Sequence, residues 1–237
     1  MSPAHHGARR GAPRAITAPG APLVLPGPFR AVVFDMDGVL IDSEPLWVLA
    51  ETELLARHGH RFTPEDLVDT HGRSIPESIA VYAVRIGGVT PAALERELLE
   101  LMRLRYEAGP PLRPGALQLV QGLRGRLPLA VASNTHGWLA RLALGGAGLL
   151  DAFDVVASGA DLGRSKPHPD VYLEACGALG VAPADCVAFE DSVAGVRSAR
   201  AAGLVVIGIP ERDDLDLVAA GADRVLGSLA EVLLEDG

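Results

Sequence analysis

The sequence predicts an α/β fold, a Rossmann-like parallel sheet core with an inserted all-helical cap (lid) domain. Three observations lead there. From residue 115 onward, short apolar runs alternate with helical periods, as in a series of βαβ units. The run Ala31-Val32-Val33-Phe34 is apolar without interruption, as a strand covered on both faces must be. Between residues 45 and 109 no strand pattern occurs, so a block of helices separates the first strand from the others.

Residues 1–29 are rich in Pro, Gly and Ala, carry no acidic residue and have no period, and are expected to form a flexible, disordered tail. Adjacent His5 and His6 read as solvated, and no apolar stretch follows the arginines there to make a secretory leader. Pro45 suits a first helical turn, and Leu46, Leu49, Ala50, Leu54 and Arg57 keep a helical period as far as Gly59. Thr63-Pro64-Glu65-Asp66 is an N-cap followed by an acidic first turn. Two more helices are expected over 76–86 and 91–108. The core then resumes with helices over 115–124, 137–144, 170–179 and 193–202, strands over 129–132, 155–156, 186–189, 204–209 and 223–226, and a last helix over 229–234. The domain expectation is therefore a tail (1–29), a catalytic core (30–43 and 114–237) and a cap (44–113), with hinges at Ser43 to Pro45 and Pro110 to Pro114.

A chain of 237 residues, 49% hydrophobic but only 4% aromatic, can bury a large core of Ala, Val, Leu and Ile. Its net charge of -9 leaves no basic surplus for a nucleic-acid backbone. No apolar run reaches the length of a membrane span. Cys176 and Cys186 fit no metal spacing and read as buried thiols of a cytoplasmic protein. No Gly-x-Gly-x-x-Gly loop appears, which disfavours a dinucleotide. Among 21 Lys and Arg residues the only lysine is Lys166. A compact ammonium suits a crowded anionic site better than a planar guanidinium does.

Polar residues stand just past three apolar runs: Asp35 and Asp37 after Val33-Phe34, Ser133 and Asn134 after Val131-Ala132, Glu190 and Asp191 after Ala188-Phe189. In a parallel sheet these ends lie on one side, where open α/β sheets bind ligands. Two carboxylates two residues apart imply a bound cation or a raised pKa. Carboxylates for a hard cation, a hydroxyl and an amide for oxyanions, and one ammonium make an inventory for phosphoryl transfer.

The stretch Asp35-Met36-Asp37-Gly38-Val39-Leu40-Ile41-Asp42-Ser43-Glu44 closely resembles the first motif of the haloacid dehalogenase superfamily, in the branch of sugar-phosphate phosphatases and β-phosphoglucomutase. Ser133 is similar to the second motif, Lys166 in Ser-Lys-Pro-x-Pro-Asp to the third, and Glu190-Asp191-Ser192 to the fourth. The resemblance covers essentially the whole chain after residue 30. It implies that Asp35 attacks phosphorus and Asp37 serves as acid and base. It implies that Mg2+ is bound by Asp35, the main-chain carbonyl of Asp37 and Asp191, with Glu190 orienting its water ligands. Ser133, Asn134 and Lys166 would hold phosphoryl oxygens. Trp47 and the loop residues His71, Gly72 and Arg73 are the cap residues expected at the substrate.

The expected activity is a magnesium-dependent phosphatase acting on a small-molecule phosphate ester, a sugar phosphate, as a monomer in the cytoplasm with neither nucleic acid nor membrane. Asp37 and Asp191 argue against a dehalogenase, and a cap without lysine against Schiff-base chemistry. A sugar-phosphate mutase is the runner-up. Its pattern has His where this chain has Trp47 and Arg where it has Ile75, although Arg73 stands nearby. A non-catalytic phosphometabolite-binding protein is the contrasting class, and the presence of both Asp35 and Asp37 weighs against it. His136 and His168 are expected in loops, and Trp138 against the sheet.

Overall fold

A computed structural model describes residues 22–70, 74–210 and 215–235. Its strands are β1 (Leu23–Leu25), β2 (Ala31–Phe34), β3 (Leu129–Ser133), β4 (Val155–Ser158), β5 (Cys186–Glu190), β6 (Val205–Gly208), β7 (Arg224–Val225) and β8 (Val232–Leu234). Six of them form a parallel sheet in the order β4-β3-β2-β5-β6-β7, and β1 pairs with β8 in a separate two-stranded parallel sheet. From β2 the chain builds β3 and β4 on one side, then crosses to build β5, β6 and β7 on the other. The order therefore reverses between β2 and β5, and such a reversal opens a crevice at the carboxyl ends of the strands.

Alternation along each strand sorts the side chains onto two faces. Val32, Phe34, Val131, Val187 and Phe189 join one core cluster, in which Phe34 stacks on Phe189 with ring centroids 5.2 Å apart. Ala31, Val33, Ala130, Ala132 and Ala188 join the other. The first face is covered by α5 (Ala116–Leu123) and α6 (Gly137–Gly146), the second by α8 (Asp170–Leu179) and α9 (Val193–Ala202); α7 (Gly159–Leu162) and α10 (Leu217–Ala220) are single turns.

The expected helical block consists of α1 (Glu44–Arg57), α2 (Pro64–Thr70), α3 (Ile75–Ile86) and α4 (Pro91–Glu107). Their starts follow local chemistry. Ser74 and Glu77 form a capping box on α3, and the Thr90 hydroxyl accepts the Ala93 N–H at the start of α4. The two connections to the sheet run side by side. Asp42 N–H donates to the Pro111 carbonyl and Arg113 N–H to that of Leu40, each at 2.9 Å. Buried residues of the helical block, among them Leu54, Leu98 and Tyr106, belong to the same cluster as the first face of the sheet.

Three expectations are corrected. The end of the assigned tail is ordered: Leu23 and Leu25 are buried in β1 and Phe29 is buried beside them. The expected last helix over 229–234 is a 3-10 turn (Leu229–Glu231) followed by β8, because β1 offers Val232-Leu233-Leu234 a ladder that a lone segment lacks. Trp138 does not pack on the sheet. It is 49% exposed and borders a groove with Ala92, Arg96 and Leu99 of α4.

Candidate active site

Asp35 follows the last residue of β2, and its backbone N–H donates to the Phe189 carbonyl of the neighbouring strand, so its position is tied to the sheet. Three residues on, Gly38 takes a positive φ of 79°, and a Cβ there would overlap the Asp191 carboxylate. The glycine thus lets the loop after β2 lie against the residue that follows β5. Gly195 has a similar part. A Cβ on it would strike the Glu190 carboxylate, so its absence lets α9 approach the end of β5.

Under Asp35 lies a buried ionic network. The Lys166 ammonium donates to Asp35 Oδ1 at 2.7 Å and to Glu190 Oε1 at 2.6 Å. The Tyr172 hydroxyl donates to the same Glu190 oxygen at 2.5 Å, and the ammonium lies 5.1 Å from the centre of the Tyr172 ring. Asn134 Oδ1 accepts the Lys166 backbone N–H at 2.8 Å, which fastens the lysine loop to the end of β3. Burial works against the Lys166 charge, but the Asp35 and Glu190 carboxylates outweigh it and hold the pKa above the ordinary lysine value. Burial pushes Asp35 up to about 8; Lys166 pulls it down, while the Glu190 and Asp37 carboxylates push it further up.

Asp37 is held differently. Its Oδ2 accepts the Thr135 hydroxyl at 3.0 Å and the Ser133 hydroxyl at 3.4 Å, and its Oδ1 accepts the Tyr106 hydroxyl at 3.1 Å. Three neutral donors from the end of β3 and the last turn of α4 surround one carboxylate.

Asp35, Asp37, Ser133, Asn134, Lys166 and Asp191 border one cavity of about 550 Å³, with Trp47 on its cap side. Glu190 is fully buried beneath that surface. His71, Gly72 and Arg73 lie outside the described residues. Oxygen atoms of Asp35, Glu190 and Asp191 lie within 4.8 Å of one another. Four carboxylates, those of Asp35, Asp37, Glu190 and Asp191, gather here around one ammonium, and further positive charge would favour the ionised form of Asp35. An all-oxygen donor set with surplus negative charge fits a hard divalent cation such as Mg2+.

Sequence reasoning missed Thr135, Tyr106, Tyr172 and Glu51. Thr135 carried a signal, since a hydroxyl two residues beyond Ser133 precedes a helix start. Tyr172 stands two residues beyond the Ser-Lys-Pro-x-Pro-Asp motif. Tyr106 and Glu51 sit inside helical periods and carry none.

Comparison with known proteins agrees with this geometry. The haloacid dehalogenase-like hydrolase family model matches residues 29–203. Hexitol phosphatase B of Escherichia coli (strain K12) is 38% identical over 222 residues, covering 89% of this chain and 97% of that protein. Fructose-1-phosphate phosphatase YqaB of the same strain is 30% identical, covering 76% and 96%. The crystal structure of CbbY from Rhodobacter sphaeroides in complex with phosphate superposes with a TM-score of 0.76 at 32% identity, covering 86% of this chain and 96% of that one. The chain therefore belongs to the haloacid dehalogenase-like hydrolases and is an enzyme of their phosphatase branch, which includes sugar-phosphate phosphatases.

Proposed function

We propose that this hydrolase is a magnesium-dependent phosphatase that removes phosphate from a small phosphorylated metabolite, a sugar phosphate, through an aspartyl-phosphate on Asp35. The observation that carries the reading is that Asp35 and Asp37, from one strand end, enter the same cavity as Ser133, Asn134 and Lys166. Support comes from relatives named for phosphate esters of sugars and sugar alcohols.

The phosphoryl group lies beside Lys166, Ser133 and Asn134, with phosphorus facing a carboxylate oxygen of Asp35. Attack forms the Asp35 oxygen–phosphorus bond while the bond to the ester oxygen breaks, and Asp37 gives that departing oxygen its proton. Asp37, now a carboxylate, takes a proton from water, whose oxygen bonds to phosphorus as the Asp35 carboxylate leaves and inorganic phosphate is released. The hydroxyls of Tyr106, Thr135 and Ser133 keep Asp37 in place through both halves. Asp35, Asp191 and the main-chain carbonyl of Asp37, with Glu190 behind them, would hold Mg2+, which would supply positive charge to offset repulsion between phosphate and carboxylate. Trp47, on the cap side of the cavity, meets the leaving group. The enzyme acts as a cytoplasmic monomer; among the described residues no helix is long and apolar enough to cross a membrane.

Trp47 and Ile75 border the cavity where the mutase pattern has His and Arg, which favours release of free phosphate over its return to the sugar. The test is phosphate release from a panel of sugar and polyol phosphates, with Mg2+ and with chelator. The parent is expected to turn over only with Mg2+, and Asp35→Asn to abolish turnover with an unchanged circular dichroism spectrum. Parental rates in Asp35→Asn, or an isomerised sugar phosphate as the main product, would overturn the reading.

A further inference from the structure

The cavity has two chemically different ends. Asp35 and Lys166 border it on the core side, while on the cap side Glu51 of α1, Thr70 of α2, and Ser74 and Ser78 at the start of α3 border it. Trp47 and Leu98 supply apolar wall between them. Its volume of about 550 Å³ is that of a small-metabolite site.

Glu51 is unusual among these residues. It is 7% exposed, and its neighbours are hydroxyls: Thr70 Oγ1, which donates to the Asp66 carbonyl at 2.9 Å and accepts from the Tyr82 hydroxyl at 3.5 Å, lies 3.4 Å from Oε2. No cation among the described residues forms an ion pair with it. Burial holds its pKa above the ordinary glutamate value, the Tyr82 and Thr70 hydroxyls pull it down, and the nearby Asp66 carboxylate pushes it up. A carboxyl group left without a cation in a half-dry wall is costly to keep there. It offers two oxygen atoms as acceptors to hydroxyl groups, and when ionised it repels a second anion. The cavity's other described cation apart from Lys166 is Arg197, an exposed residue of α9 in the core and not part of the cap wall.

We propose that Glu51 determines specificity at this site: its carboxyl accepts hydrogen bonds from hydroxyls of the leaving group and turns away an ester with a second phosphate at that end. The substrate class is a monophosphate whose remainder is uncharged and rich in hydroxyls. Thr70, Ser74 and Ser78 extend the same hydroxyl-reading wall. This inference rests on the phosphatase reading of the site.

The test measures kcat/KM with Mg2+ for three esters: a hexitol 6-phosphate, a hexose 1,6-bisphosphate, and p-nitrophenyl phosphate as a reference without hydroxyls. The parent is expected to prefer the hexitol phosphate to the bisphosphate at least tenfold. Glu51→Gln, close in shape, is expected to lower the hexitol-to-nitrophenyl ratio by about tenfold, mainly through KM, because an uncharged amide accepts hydroxyls less strongly and offers one oxygen in place of two. It is also expected to narrow the preference against the bisphosphate. Glu51→Leu removes both acceptors and is expected to lower the hexitol ratio further; if it does not fold, Glu51→Gln alone decides. A ratio unchanged within twofold in Glu51→Gln, or a parent that prefers the bisphosphate, overturns the assignment of Glu51 and leaves the phosphatase reading standing. A parent that releases phosphate from none of the three esters overturns both.

Discussion

The hydroxyl of Tyr106, in the last turn of α4, donates to Oδ1 of Asp37 across 3.1 Å, joining the cap to the carboxylate we assign as acid and base over 69 residues of sequence. Burial, reinforced by the Asp37 carboxylate, holds this phenol's pKa well above the ordinary tyrosine value, so it stays a donor throughout the working pH range. The position of the cap and the orientation of Asp37 are thereby linked.

Tyr106→Phe is expected to lower kcat about tenfold for an alkyl phosphate, a fraction of what acid–base catalysis supplies, since Thr135 and Ser133 still hold the other oxygen. The loss is expected to be smaller for p-nitrophenyl phosphate, whose leaving group departs without a proton. Steady-state kinetics on both esters checks this; an equal loss on the two would show that Tyr106 acts on something other than protonation of the leaving group.

Lys166→Arg is expected to cost about 100-fold to 1,000-fold in turnover despite the preserved charge. The lysine side chain is 4% exposed and wedged between Asp35, Glu190 and the Tyr172 ring, where a planar guanidinium does not fit. Lys166→Met leaves Glu190 buried without a cation and is expected to lower folding stability by about 3–5 kcal/mol, measured by urea unfolding. Near-parental turnover of the arginine variant would remove the lysine from the reaction.

Glu51 also sets a pH dependence of stability. Its folded-state pKa is raised, so its favourable contribution is fully present below the unfolded value near 4.5 and is lost as pH rises through the folded value. Glu51→Gln avoids that loss. Its melting temperature is expected to exceed the parent's at pH 8 and to match it near pH 4, as differential scanning calorimetry at both values would reveal; a variant less stable than the parent at pH 8 contradicts this account.

Much of the catalytic side of the site was legible in the sequence because a strand end is a local signal. Val33-Phe34 stops at Asp35 and Ala188-Phe189 at Glu190, and parallel pairing brings such ends together without further information. Glu190 was legible as a residue but not in its surroundings. Its burial against Lys166 and Tyr172 depends on how α8 lies on the sheet. Tyr106 and Glu51 were opaque for a related reason. A helical period says which face is apolar, whereas the polar atom that reaches inward at its edge depends on the docking of the whole helix. Leu23-Val24-Leu25 and Val232-Leu233-Leu234 were misassigned because three-residue strands carry little pattern and each is stabilised by the other.

That pairing of β1 with β8 closes a loop of about 200 residues, the kind of contact whose entropic cost falls due before any hydrogen bond repays it. During synthesis β1 leaves the ribosome long before its partner does. The cap helices, which follow one another within residues 44–107, and then the six-stranded sheet can assemble while Leu23 and Leu25 still lack cover. The first of the described strands to be made is thus among the last to be secured, and a chain stalled before residue 232 would present that unpaired apolar edge to chaperones and proteases.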